Sequence, residues 1–242
     1  MGSTVTTLAH GIRPASRKLG VYLASHNNPL FLRLALLQLE AQTLMPDVLA
    51  IHENGHPFQT VDLISRDVLR RISKTTQILY DHTDAGLSHP YFHYLPLKKL
   101  VESGRCDLYT KWDHDDLFYE NHLETLALDI STLDWIGQRN ADILVLNPKQ
   151  YLFKQNREFI WNPLGGMSDT FMFTNVVAEQ YLTDMLSRAG KNEADDWILY
   201  KHTLPKFPRG RMMNCRATAC YVSHGRNGST ASLVVKPPED LK

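Results

Sequence analysis

Between Leu19 and Leu146, five short apolar runs alternate with four segments of helical periodicity, a pattern few folds can accommodate. The runs are Leu19–Ala24, Val48–His52, Thr76–Tyr80, Asp107–Trp112 and Ile143–Leu146. They are short and rich in β-branched and aromatic residues, as buried strands are. Phe31–Gln42 lies between the first two and carries Phe31, Leu34, Ala35 and Leu39 at helical spacing. Val61–Ser73, Tyr91–Ser103 and His122–Leu133 follow as further helical stretches. Strands separated by helices build an α/β, Rossmann-like, mainly parallel sheet flanked by helices. Ligands of such sheets sit at the carboxyl ends of the strands. Three polar turns fall there: Ser25–Asn28, Glu53–Gly55 and Asp113–Asp116.

The second half is less regular. Tyr151–Thr174 mixes aromatics and glycines, Val176–Ala189 is helical, and Asn192–Lys201 reads as a helix with an acidic start. A length of 242 residues suits a single α/β domain. Residues 1–18 read as a flexible N-terminal segment, 19–235 as the domain, and 236–242 as a tail with two prolines.

Charge narrows the partners. Twenty-six basic residues balance 26 acidic ones, so there is no strong nucleic-acid signal. Cys106, Cys215 and Cys220 form no CxxC pair, which argues against a structural zinc or a disulfide framework and fits a reducing compartment. No stretch approaches the roughly 18 apolar residues of a transmembrane segment, and residues 1–18 lack the apolar core of a signal peptide. The expectation is a cytoplasmic protein, with contact to a membrane surface left open.

Asp113-His114-Asp115-Asp116 packs three carboxylates into four residues after a strand. Like charges this close raise one another's pKa unless a cation neutralises them. Carboxylate oxygen is what a hard divalent metal prefers, and alternation puts Asp113 and Asp115 on one side of an extended segment. An acidic turn capping the next helix, with Asp116 as its N-terminal charge, accounts for the same residues.

Taken with other segments, the run resembles the family 2 glycosyltransferases. Residues 19–55 resemble the family's opening: a strand, a polar turn (Ser25-His26-Asn27), a helix ending in Ala41-Gln42-Thr43, and a strand ending in His52-Glu53-Asn54-Gly55. Asp113-His114-Asp115-Asp116 looks like its Asp-x-Asp motif, and Asp195-Asp196-Trp197 like its Glu-Asp-Trp motif. Tyr221–Ser229 is similar to its late His-and-Ser loop. The resemblance implies a single-domain GT-A fold, with a nucleotide-sugar half over about 19–125 and an acceptor half over about 126–235. It implies a metal-dependent transferase that moves a sugar from a nucleotide-sugar donor, carrying UDP, to a saccharide or other acceptor hydroxyl. The reaction would proceed with inversion, in glycan or polysaccharide biosynthesis. By the same resemblance Ser25, Asn27, Glu53, Asp113 and Asp115 bind the donor. Asp113, Asp115 and His224 hold Mn²⁺ or Mg²⁺, and Asp196 is the catalytic base. The family often has an acid where this chain has His52, so the nucleoside contact falls to Glu53 or to backbone. Asp195 stands where Glu is commoner, which lets Asp195 and Asp196 exchange roles.

Other residues carry two readings each. Trp161, Ser168 and Asp169 would line an acceptor pocket, or Trp161 is a core aromatic. Lys206, Arg209, Arg211 and Arg216 would grip a diphosphate or an anionic acceptor, or form a solvated loop. His82, His89, His93 and His122 show no ligand spacing and read as surface or core residues. Two rival functions stand beside the transferase. A nucleotidyltransferase would carry an early glycine-rich loop, which Ser25–Arg33 lacks. A non-catalytic sugar- or nucleotide-binding module sits poorly with intact acidic pairs at both 113–116 and 195–196.

Overall fold

Strand β1 (Leu19–His26) is buried from Leu19 to Ser25, so it can only be a central strand with both faces covered. A computed structural model describes residues 17–26, 28–54, 65–83, 89–147, 150–158, 164, 167–189, 191 and 193–223. After β1, Asn28 caps helix α1 (Pro29–Glu40) by accepting the Phe31 amide at 3.3 Å, with Pro29 in the first turn. Next come β2 (Val48–Asn54), α2 (Arg66–Ile72), β3 (Gln77–Thr83), α3 (His89–Glu102) and β4 (Leu108–Lys111). A short β5 (Leu117–Phe118) and α4 (His122–Asp129) lead into β6 (Trp135–Gln138), β7 (Asn140–Asn147) and β8 (Gln150–Glu158). A 3₁₀ turn (Ser168–Thr170) precedes β9 (Phe171–Thr174) and α5 (Asn175–Ser187). The one-turn α6 (Asp195–Ile198) and strands β10 (Gly210–Met213) and β11 (Ala219–Ser223) follow.

Seven strands form the main sheet in the order β10-β6-β9-β4-β1-β2-β3. Only β9 runs against the others, pairing antiparallel with β4 and β6. A second sheet has the order β5-β11-β7-β8. The parallel α/β expectation therefore holds through β4. The shorter strands β6, β9 and β10 were not legible as strands, because a run such as Trp135-Ile136-Gly137-Gln138 is too brief to show a period. Asn192–Lys201 is also less helical than its pattern implies: one α turn at Asp195–Ile198 widens into a π turn over Leu199–Thr203. No helix among the described residues is long and apolar enough to cross a membrane.

Two clusters fill the faces of the sheet. One packs Leu32, Leu36 and Leu39 of α1 and Val68 of α2 against Leu23, Leu49 and Ile51. The other packs Leu97, Tyr181, Ile198 and Leu199 against Tyr22, Tyr109 and Phe173. The basic stretch at 206–216 is drawn largely into ion pairs. Lys206 binds Asp184 at 2.6 Å, Arg209 grips Asp134 at 2.6 and 3.1 Å, and Arg211 lies 3.5 Å from Asp129.

At the β10 edge, Gly210 pairs with Trp135, whose indole lies over it and donates to the Phe207 carbonyl at 2.9 Å. A Cβ at 210 would overlap that ring. Gly210→Ala should therefore lower stability by about 1–3 kcal/mol, as overpacking does, read as a drop in the urea midpoint with an unchanged slope.

Candidate functional site

The carboxyl ends of β1, β2 and β4 and the start of β9 meet at one edge of the sheet. Parallel register sets Ser25 beside Glu53 and His26 beside Asn54. Antiparallel register brings Thr110, near the end of β4, opposite Met172, so the turn carrying Asp169 stands beside the loop after Lys111. Asp113, Asp116 and Asp169 converge there, with one ligand oxygen from each lying within 4.8 Å of the others.

The loop is held from behind by neutral groups. The Gln38 amide donates to the Asp116 carbonyl at 3.3 Å and accepts the Phe118 amide at 2.6 Å. Gln42, buried, donates to the Tyr119 carbonyl at 2.8 Å and accepts the Leu123 amide at 3.1 Å. Thr43 adds bonds to the Glu120 carbonyl and to the Glu124 carboxylate. The polar atoms of the Ala41-Gln42-Thr43 element thus fix the backbone that follows the acidic turn. Asp116 is buried and takes the Val222 amide of β11 at 2.8 Å, so it serves as more than a helix-capping charge.

Asp169 has no exposed surface, and its carboxylate oxygens have no donor of good hydrogen-bond geometry among the described residues, with the Asp116 carboxyl near enough to share a proton. Burial first, then the charge of Asp113, pushes its pKa far above the usual carboxylate range. Burial likewise raises Asp116, with Asp169, Asp115 and Asp113 adding to it. Without a cation, the relief open to such a pair is a shared proton. Two buried carboxyls, one lacking a well-placed donor among the described residues, are costly unless the site holds a cation, and the donor set fits a hard divalent ion. His122 supports the turn from below. Its Nε2 lies 3.2 Å from the Asp169 carbonyl, which can only accept, so that nitrogen carries the proton. Burial lowers the His122 pKa to about 4 and keeps the ring neutral.

Lys111 ties the acidic groups together, and sequence reading passed over it. Its side chain is buried, with Nζ 2.8 Å from Asp113, 3.3 Å from Asp195 and 2.7 Å from the Ser168 hydroxyl. Burial works against the ammonium, but Asp113, Asp195 and Asp196 outweigh it and hold its pKa well above the usual lysine range. The signal lay in the sequence: Lys111 and Asp113 alternate onto one side of the strand. Asp195 is buried, its backbone carbonyl taking the Tyr181 hydroxyl at 2.9 Å. His93 Nδ1 lies 3.8 Å from its carboxylate, a site neighbour that spacing did not suggest. Asp196 is half-buried and accepts the Trp197 amide at 2.7 Å. Glu53 is buried and takes the Tyr80 hydroxyl at 2.7 Å. Beside it the Asn54 amide is buried, with neither its N nor its O hydrogen-bonded to the described residues.

The structure therefore brings Asp113, Asp116, Asp169, Ser168 and Asp195 together around Lys111, with Ser25 and Glu53 on the neighbouring strand ends. Asp115 is half-exposed on the same loop. Asn27, Trp161 and His224 lie outside the described residues.

No family model matches the chain, and no curated protein matches it. Solved structures do. Residues 1–349 of S. aureus TarS in complex with UDP-GlcNAc superpose with a TM-score of 0.61 at 14% identity, over 92% of this chain and 63% of that one. The complex with UDP gives 0.60 at 11% identity, over 85% and 60%. The fold is GT-A. At such identities the likeness is one of fold alone, and the chain spans about 60% of these TarS 1–349 structures. In GT-A terms the carboxylates lie where the parallel sheet presents its ligand edge, and the β9 reversal supplies Asp169.

Two substitutions probe the site. Lys111→Met leaves Asp113 and Asp195 without their shared counter-charge and should destabilise the fold by about 3–5 kcal/mol in urea denaturation. Asp169→Asn should act oppositely. Measured above pH 8, where burial has raised the Asp169 pKa to about 8 and the carboxyl ionises, removing that buried charge should raise the metal-free melting temperature by about 2–4 °C per kcal/mol gained, while Mn²⁺ affinity measured by calorimetry falls. A drop in melting temperature with unchanged Mn²⁺ affinity would make Asp169 a structural residue only.

Proposed function

We propose that the protein is a metal-dependent glycosyltransferase that uses a nucleotide-sugar donor, most simply a UDP-sugar, and an acceptor hydroxyl. The observation that carries this reading is the pairing of two acidic sets across Lys111: Asp113, Asp116 and Asp169 on one side, Asp195 and Asp196 on the other. TarS, on the same fold, was solved with UDP and with UDP-GlcNAc, which supports a nucleotide sugar as the ligand of the sheet edge.

Ser25 and Glu53, with Asn27, are assigned to the nucleoside. The buried Asn54 amide beside them offers a donor and an acceptor suited to the edge of a base. Asp113 is common to both metal sets worth testing, one with Asp115 and His224 and one with Asp116 and Asp169. These residues would hold Mn²⁺ or Mg²⁺, which when bound would supply positive charge to neutralise a diphosphate leaving group. Lys111 keeps Asp195 fixed, and Asp196, with the more exposed carboxylate, takes the proton from the acceptor hydroxyl. One base on the acceptor side implies direct displacement with inversion. Ser168, Asp169 and Trp161 stand for the acceptor side. Asp169 is the one whose assignment we move, because burial among Asp113 and Asp116 suits a cation better than a sugar hydroxyl.

Screening nucleotide sugars with Mn²⁺ for release of free nucleotide tests the reading, and full turnover after chelation would remove the metal from it. Asp196→Asn decides the base. Asn retains hydrogen bonding and size, so a helix-end role predicts near silence, a dipole effect of about 0.3–1 kcal/mol. A base predicts a loss on the order of a hundred- to ten-thousand-fold in kcat with UDP affinity kept. Asp195→Asn run beside it shows whether the two have exchanged roles.

A further inference from the structure

The outer face of α1 is apolar. Leu30, Leu34 and Leu37 are 69%, 40% and 38% exposed, and exposed Ala41 extends the row. Their spacing places all four on one side of the helix, opposite the buried Leu32, Ala35, Leu36 and Leu39. A helix covering a core normally turns polar residues outward; this one does not.

Alongside it, α2 is basic. Val68 and Ile72 bury in the same core cluster as α1, so the two helices lie side by side on one face of the sheet. A seam of ions joins them. Arg33 holds Asp67 at 2.6 and 3.1 Å, and Arg71 holds Glu40 at 2.5 and 3.0 Å and reaches Asp67 at 3.4 Å. Both acids of the pair are engaged there. Arg70 and Lys74, both exposed, lie four residues apart on α2 and the turn after it, beside the leucine row. The two helices with that turn carry five basic and two acidic side chains, in a chain whose formal net charge is zero.

An apolar row flanked by cations matches an anionic bilayer surface, where leucines enter the headgroup boundary and basic side chains meet phosphates. A second copy of the chain fits less well. The stripe runs along a helix about 18 Å long and about 10 Å wide, far short of the roughly 800 Å² per partner of a stable interface, and a twofold contact would bring cationic rows together. We propose that the outer face of α1 and α2 docks on an anionic lipid bilayer. The flank of α1 next to the stripe holds Phe31 against His114, with ring centroids 6.1 Å apart, and Gln38 on the Asp116 carbonyl. A docked surface therefore runs alongside the carboxylate site, within reach of substrates carried in the bilayer. The docking itself rests on neither the metal nor the sugar chemistry proposed above.

Sedimentation of the full chain with vesicles tests this. Vesicles of phosphatidylcholine and phosphatidylglycerol in equal parts should carry the protein down, phosphatidylcholine alone should not, and added salt should weaken the binding. R70Q with K74Q should lower affinity by roughly ten- to thirtyfold. L30Q with L34Q should lower it further, with the melting temperature unchanged in R70Q with K74Q and lowered by no more than a few degrees in L30Q with L34Q, where Leu34 is partly covered. The proposal is overturned by failure to sediment, by wild-type binding in both double variants, or by light scattering that finds a dimer which L30Q with L34Q dissolves while lipid binding persists.

Discussion

One buried ammonium decides whether this sheet edge can exist. Lys111 is enclosed among Asp113, Asp195 and Ser168. Removing a lysine from water is expensive, and so is removing the carboxylates around it. Each makes the other tolerable. The arrangement also links two distant parts of the chain, because Asp113 follows β4 whereas Asp195 opens α6. A single positive charge still falls short of the local negative charge, and burial first, then the neighbouring carboxylates, raise the pKa values of Asp116 and Asp169. A bound divalent cation or a shared proton would each make the shortfall good.

Neutral hydrogen bonds do the remaining positioning. Gln38, Gln42 and the Val222 amide hold the loop from 116 to 123 without adding charge. Cationic partners there would compete with a metal for the carboxylates. Amide partners fix the backbone and leave the carboxylate charge available. His122 follows the same logic, kept neutral by burial while it donates to the Asp169 carbonyl.

Much of this was legible before any coordinates. The strand and helix periods from Leu19 to Lys111 marked out the parallel half of the sheet. The acidic turn stood out as an unusual concentration of charge, and the Asp195-Asp196 pair through its resemblance to the Glu-Asp-Trp motif. Less legible were β6, β9 and β10, whose strands of four residues are too short for a period to emerge. Asp169 was read as an acceptor-side residue because it follows Trp161 and Ser168 in sequence, and an aromatic ring suits a sugar. Lys111 went unremarked because a lone lysine in a strand pattern reads as an edge or a solvated position.

What the sequence determined by itself was therefore the local order: which segments extend, which coil, and where polar residues interrupt them. Hydrophobic period, capping residues and charge density are properties of neighbours along the chain, and they act before the chain closes. Which acids face one another was decided only by tertiary structure. Asp113, Asp169 and Asp195 are brought together by the reversal of β9 between β4 and β6 and by the packing of α6 on α5. The low dielectric that makes their charges matter to one another exists only once those elements have buried them.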